Sequence, residues 1–212
     1  MSAPARTGTW TKLRPARSAL LLLAAAAPVA AYAASHPVML DQAYVEPGRV
    51  VSVLAKGAPP CGVHIMEIVD ARRSPEMIGM LGGKPVLAPQ DRPAWLLSVI
   101  TGLKGRGFAL DFSDPAVENP RVINAHIALQ TAWINSVQTS LDESVVFKVQ
   151  AKGPDGRTIE GFFRGSSSRM NWASGDGEIK SAMNVAFSRA LNAMAHDLAG
   201  LCEARKAKLT SW

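Results

Sequence analysis

The chain has 212 residues, 48% hydrophobic and 6% aromatic, with 23 Lys+Arg against 17 Asp+Glu and a formal charge of +6. Four of those positives, Arg6, Lys12, Arg14 and Arg17, sit in the first seventeen residues; without them 19 basic residues face 17 acidic ones, a net charge of +2. No basic face survives that correction, so the composition speaks against a nucleic-acid partner, and the length suits one sizeable core.

The basic start is followed by an uninterrupted apolar run, Ala19 to Ala27, and then by Ala31-Tyr32-Ala33, which offers small residues at the two positions a signal peptidase reads. Residues 1–33 read as a secretory signal peptide cleaved after Ala33. The alternative is an uncleaved membrane anchor, against which Pro28 and Pro37 interrupt the run. No cysteine lies near the cut, so the expected product is a non-lipidated periplasmic protein with no integral membrane segment. Residues 34–60, with Pro37, Pro47 and Gly48, read as an extended lead-in, in which Val50 to Leu54 is a short apolar run fit for an edge strand. Cys61 and Cys202 are the only cysteines. In an oxidising compartment they suggest one disulfide tying the end of the last helix to the first core strand; two buried thiols are the alternative.

In the body of the chain, Gly62 to Val69 reads as a core strand, and Met77 to Met80 as a short strand before the Gly82-Gly83 turn. Asp91 caps a helix with Pro93 in its first turn and an apolar face of Trp95, Leu96, Val99, Ile100 and Leu103. Phe108 to Phe112 returns as a strand, and residues 113–120 connect the two halves. From Val122 on, apolar residues alternate at Ile123, Ala125, Ile127, Leu129, Thr131 and Trp133, which places these six on one face of a strand. Val145, Phe147 and Val149 repeat the pattern; Gly153-Pro154-Asp155-Gly156 is turn chemistry, and a strand from about Thr158 to Arg164 completes a hairpin. A long amphipathic helix follows, with Ile179, Met183, Ala186, Phe187, Ala190, Leu191, Met194 and Leu198 at spacings of three and four. The expected fold is α+β: a two-layer sandwich, mainly an antiparallel sheet with two helices on one face, over 61–202, followed by a basic tail at 203–212.

Catalytic and metal chemistry have thin support. His36, His64, His126 and His196 are scattered without metal-ligand spacing, and no cofactor is implied. Ser166-Ser167-Ser168 lacks a nucleophile elbow around it, and neither cysteine has a CxxC partner. Two features suit binding. Asp70, Arg72 and Arg73 cluster after a core strand, where a charged turn meets a carboxylate or phosphate, the plainer reading being a solvated turn with a local ion pair. Trp172 is placed to cover a partner's apolar surface, although such a residue more often plugs the end of a core, the role also expected of Trp95 and Trp133.

The order of these features carries a resemblance. A strand ending in Asp70-Ala71-Arg72 leads to Ile78-Gly79 and then to Pro93-Ala94-Trp95 opening a helix. A strand around Ile127 to Trp133 precedes a hairpin with Gly161, then Asn171-Trp172 and the closing helix. Over about 61–202 this resembles YajG-like periplasmic lipoproteins and, more distantly, the ABC-transport auxiliary lipoproteins, here without the lipidated cysteine. The resemblance implies a non-enzymatic accessory or binding protein of the cell envelope, docking on a larger assembly or handling a lipid or polysaccharide. The alternatives are a periplasmic hydrolase acting through Ser166–Ser168 with His126 or His64, and a structural domain that associates with itself through an edge strand such as Val50 to Leu54.

Overall fold

A computed structural model describes residues 38–39, 43–137, 139–170 and 175–209. The predicted leader (1–33), His36 and Trp172 lie outside the described residues, as do the side chains of the basic tail. The elements run β1 (Val38–Met39), β2 (Cys61–Asp70), β3 (Met77–Leu81), β4 (Lys84–Leu87), α1 (Arg92–Thr101), a 3₁₀ turn (Gly102–Arg106), β5 (Phe108–Asp111), β6 (Ile123–Val137), β7 (Ser140–Lys152), β8 (Thr158–Met170) and α2 (Asp176–Leu209). The fold is α+β, with a mixed sheet and both helices on one of its faces. The two long ladders, β6–β7 and β7–β8, are antiparallel, whereas β2 runs parallel to both of its neighbours, β5 and β6.

β6 organises the sheet. One of its edges takes the whole of β7. The other is shared end to end by two strands: β2 lies along Ile123 to Leu129, and β3 along Ile134 and Asn135. Two features let one strand serve both. Gln130 is an extra residue in the pairing with β7, and such a bulge shifts the side-chain phase. Gly79 brings the β3 backbone so near that a Cβ there would lie 1.9 Å from the Ile134 carbonyl oxygen, with φ at +150°. The phase shift corrects the sequence reading. Ile123, Ala125, Ile127 and Leu129 do face the core, but beyond the bulge Ala132 and Ile134 are the buried residues. Trp133 is turned outward and is 39% exposed instead of plugging the core.

The core lies between the sheet and α2. Phe187 of α2 meets Trp95 of α1 edge-on at 5.3 Å, Phe147 of β7 at 6.0 Å and Tyr44 of the lead-in at 6.3 Å between ring centroids. Such offset and edge-on pairs add to what burial alone contributes. Gly165 of β8 marks the tightest contact, because a Cβ there would stand 1.9 Å from the Ala186 carbonyl oxygen and 2.5 Å from the Ala190 nitrogen. Small residues on both sides therefore let α2 lie directly on β8.

Three anchors close the layer. Cys61 at the start of β2 is disulfide-bonded to Cys202 of α2, 141 positions away. In the chain-entropy model a loop that long contributes about 5 kcal/mol. Asp91 caps α1 through the Ala94 N–H, as expected. Residues 43–54 form no strand, so the edge expected at Val50 to Leu54 is absent. They run instead as a strap held by Arg106, a fully buried side chain. Its guanidinium donates to both carboxylate oxygens of Glu46 (2.9 and 3.1 Å), to Asn192 (2.6 Å), to the hydroxyl and carbonyl oxygens of Ser188, and to the Gly102 carbonyl oxygen. A buried guanidinium needs that many acceptors, and short-range periodicity gives no hint of it, since its partners come from three separate segments.

Candidate functional site

Among the described residues the face of the sheet opposite the helices is open, and the strand register lays out its surface. Val69, Ala128, Lys148 and Phe162 form one row from β2 to β8; Thr131, Val146 and Arg164 form the next, and Trp133, Ser144 and Ser166 the one after. Val69 and Trp133 are each 39% exposed, Phe162 68% and Met170 56%. A solvated sheet face ordinarily carries polar residues at such positions, and here four large apolar side chains stand among them.

Where β2 ends and β3 has not begun, the edge of β6 away from β7 has no strand beside residues 130–133, and it opens into a cleft of 430 Å³. It is lined by Arg72, Arg73 and Ser74 from the loop after β2, by Met77, and by Gln130 to Trp133 from β6. The charged cluster singled out in the sequence frames this cleft, but its members differ in what they have left to offer. The Arg72 guanidinium donates to both carboxylate oxygens of Asp70 (2.8 and 2.7 Å), to the Met77 carbonyl oxygen (3.0 Å) and to the Pro75 carbonyl oxygen (2.5 Å), and it lies 5.6 Å from the Trp95 ring. That is a fork-on-fork pair with two loop carbonyls, and it shapes the turn that leads into β3. Asp70 and Arg72 are thus committed within their own loop. Arg73 is exposed at the cleft mouth, beside Trp133, a residue the sequence reading assigned to the core. The signal that would have found Trp133 is the bulge, and the pairing that creates it is non-local.

The residues named for a hydrolase are not brought together. Ser166 and Ser168 are exposed on the open face, and Ser167 points under α2. They lie in the middle of β8, not on a strand-to-helix elbow. His126 pairs in register with Gln150, which pairs with Glu160, six residues along β8 from Ser166 and so on the order of 20 Å away. His64 is buried; its Nδ1 lies 3.2 Å from an Asp111 carboxylate oxygen and its Nε2 3.2 Å from the Asp114 carbonyl oxygen. Ser113, through its backbone N–H and its hydroxyl, and then His64 hold the Asp111 carboxyl below the usual range. Among the described residues no cluster of three or more His, Cys, Asp or Glu is placed to hold a metal.

One ionisable group stands apart. Glu143 of β7 is buried on the helix side between Ile134 and Ser167, and neither of its carboxylate oxygens has a hydrogen-bond partner. Burial pushes its pKa up to about 7. The neighbouring Ser167 hydroxyl and, to a lesser degree, the charge of Arg169 two residues further along β8 moderate the shift, and the Arg169 Nη2 donates to the Glu178 carbonyl oxygen in the first turn of α2. The Arg169 Nε is buried and also lacks a partner.

No protein-family model matches the sequence, and no curated protein is similar to it. Among solved structures, the crystal structure of protein XCC0632 from Xanthomonas campestris, described with the family model DUF330, overlaps with a TM-score of 0.51 at 12% identity. The overlap covers 78% of this chain and 99% of that one, so the two share a fold. Protein CT253 from Chlamydia trachomatis (TM-score 0.41, 12% identity, 69% of this chain and 99% of that one) and lipoprotein GNA1162 from Neisseria meningitidis (TM-score 0.30, 14% identity, 58% and 94%) overlap more loosely. Among the described residues no helix is long and apolar enough to cross a membrane.

Proposed function

We propose that this chain is a non-enzymatic accessory protein of the cell envelope, of the YajG-like and ABC-transport auxiliary kind, that works in the periplasm and docks on a larger assembly through the open face of its sheet. One observation carries the reading: the face that both helices leave bare exposes Val69, Trp133 and Phe162, and Trp133 also lines the β2–β3 cleft. A patch of that kind on a folded domain marks a contact surface. The Cys61–Cys202 bond supports an oxidising compartment. Arg73 and Trp133 supply the polar and aromatic elements that recur in the anchoring pairs of protein interfaces.

The test is site-specific photo-crosslinking in intact cells, with the crosslinker placed at Trp133 and, as a control on the helix side, at Asp197. The expected result is one envelope component captured at position 133, absent at 197, and lost when Arg73→Glu is added. Capture of the same proteins at both positions, or of none at 133, would overturn the reading.

A further inference from the structure

β8 ends the sheet. Its thirteen residues pair with β7 without a single register shift, and its other edge has no strand beside it among the described residues. Natural sheets block so long an edge with a proline, a lysine, a bulge or a covering element. Between Thr158 and Ser166 there is no proline, no lysine and no bulge. What the run does carry is two opposite charges around an aromatic ring, Glu160, Phe162 and Arg164, all pointing to the open face, with Glu160 already paired through one carboxylate oxygen to Lys148 of β7 at 2.9 Å. Phe162 is the most exposed aromatic side chain of the described residues, and Arg164 has no hydrogen-bond or ion-pair partner.

We propose that β8 is the seam of a symmetric dimer, in which a second copy of this chain adds its own β8 antiparallel to the first, with Phe162 on the two-fold axis. In that register each residue meets the one equally far on the other side of 162. Phe162 then faces its counterpart, and each Glu160 faces the other copy's Arg164, giving two opposed ion pairs about an aromatic pair. On the helix side Phe163 meets the partner copy's Gly161, which leaves room for the ring. Arg189 of α2 already donates to the Ser166 carbonyl oxygen at 2.5 Å, which ends the free run where the proposed ladder ends. The pairing consumes the same edge on both copies, and the strands at the other end of the sheet, β5 and β1, have four and two residues. The assembly therefore closes as a dimer and does not grow into a filament.

Sedimentation velocity and native mass spectrometry of the protein, in the form the cell leaves it, test this at micromolar concentration. The wild type is expected to be a dimer. Arg164→Glu sets Glu160 against the new acid twice and is expected to weaken the dimer roughly tenfold or more. Glu160→Arg combined with Arg164→Glu restores the opposed charges and the dimer, a rescue that a merely misfolded variant would not show. Phe162→Cys, in a chain whose two native cysteines are bonded to each other, is expected to give a disulfide-linked dimer on mild oxidation, and Ser181→Cys none. A monomeric wild type, a monomer that binds some other extended chain along β8, or a dimer unaffected by the charge reversal and not linked through position 162 would each overturn the proposal.

Discussion

The two faces of one sheet are built to opposite rules. On the inner face the large apolar side chains are packed: Phe147 of β7 meets Phe187 of α2, Gly165 takes the helix backbone directly, and Arg106 beside them spends its donors on three different segments. On the outer face the same strands show Phe162, Trp133 and Lys148 with no element over them among the described residues. Inner-face substitutions act on stability, while outer-face ones leave stability nearly untouched and act on association.

The largest inner-face effect is expected from Gly165→Val. Its side chain would have to occupy the space of the Ala186 and Ala190 backbone, so α2 must lift from β8. A loss of more than about 3 kcal/mol, or failure to fold, is expected by chemical denaturation. Reducing the Cys61–Cys202 bond comes next, at about 2–5 kcal/mol, read as a lower melting temperature in reductant. Arg106→Met strands the Glu46 carboxylate, which burial alone would push up but which hydrogen bonds from Arg106, Ser188 and Tyr44 together hold below the usual carboxyl range. A loss of about 3 kcal/mol is expected, with faster proteolysis of the strap over 43–54.

Glu143 makes the stability of the inner face depend on pH. Its pKa in the folded chain, about 7, lies above the ordinary 4.5, so the folded state holds the proton more tightly than the unfolded one. Stability is therefore full below about 4.5 and falls as pH rises towards 7, by at most about 3 kcal/mol. Denaturation curves of Glu143→Gln should lack that slope. The smallest effect on folding belongs to the open side, where Arg73→Glu at the cleft mouth should change stability by no more than about 0.5 kcal/mol while abolishing the crosslink from position 133. A loss of several kcal/mol there would dissolve the distinction between the faces.

The legible part of the fold was the part governed by local pattern. The apolar stripe of α2, the Asp91 cap with Pro93, and the alternation around Val145 to Val149 all lie within one element, and each is present as read. The length of β8 escaped because Gly165 and Ser166 to Ser168 carry little strand preference of their own; the β7 ladder on one side and α2 above hold them extended. Trp133 was misassigned because alternation presumes an unbroken pleat, and the Gln130 bulge exists only in the pairing of β6 with β7. The cluster at Asp70, Arg72 and Arg73 was visible as charge, but its division into a committed pair and one free cation was not.

The class of architecture, the two helices, the turn positions and the one pair of cysteines able to bond are written in local pattern, because each rests on residues near one another or on a count that admits one answer. Long-range pairing makes β2 and β3 share β6, opens a cleft between them, lets Arg106 hold the strap, and leaves the outer edge of β8 with no strand beside it among the described residues. Each of these depends on which backbone groups find partners across tens of residues, and periodicity along the chain carries no record of that choice.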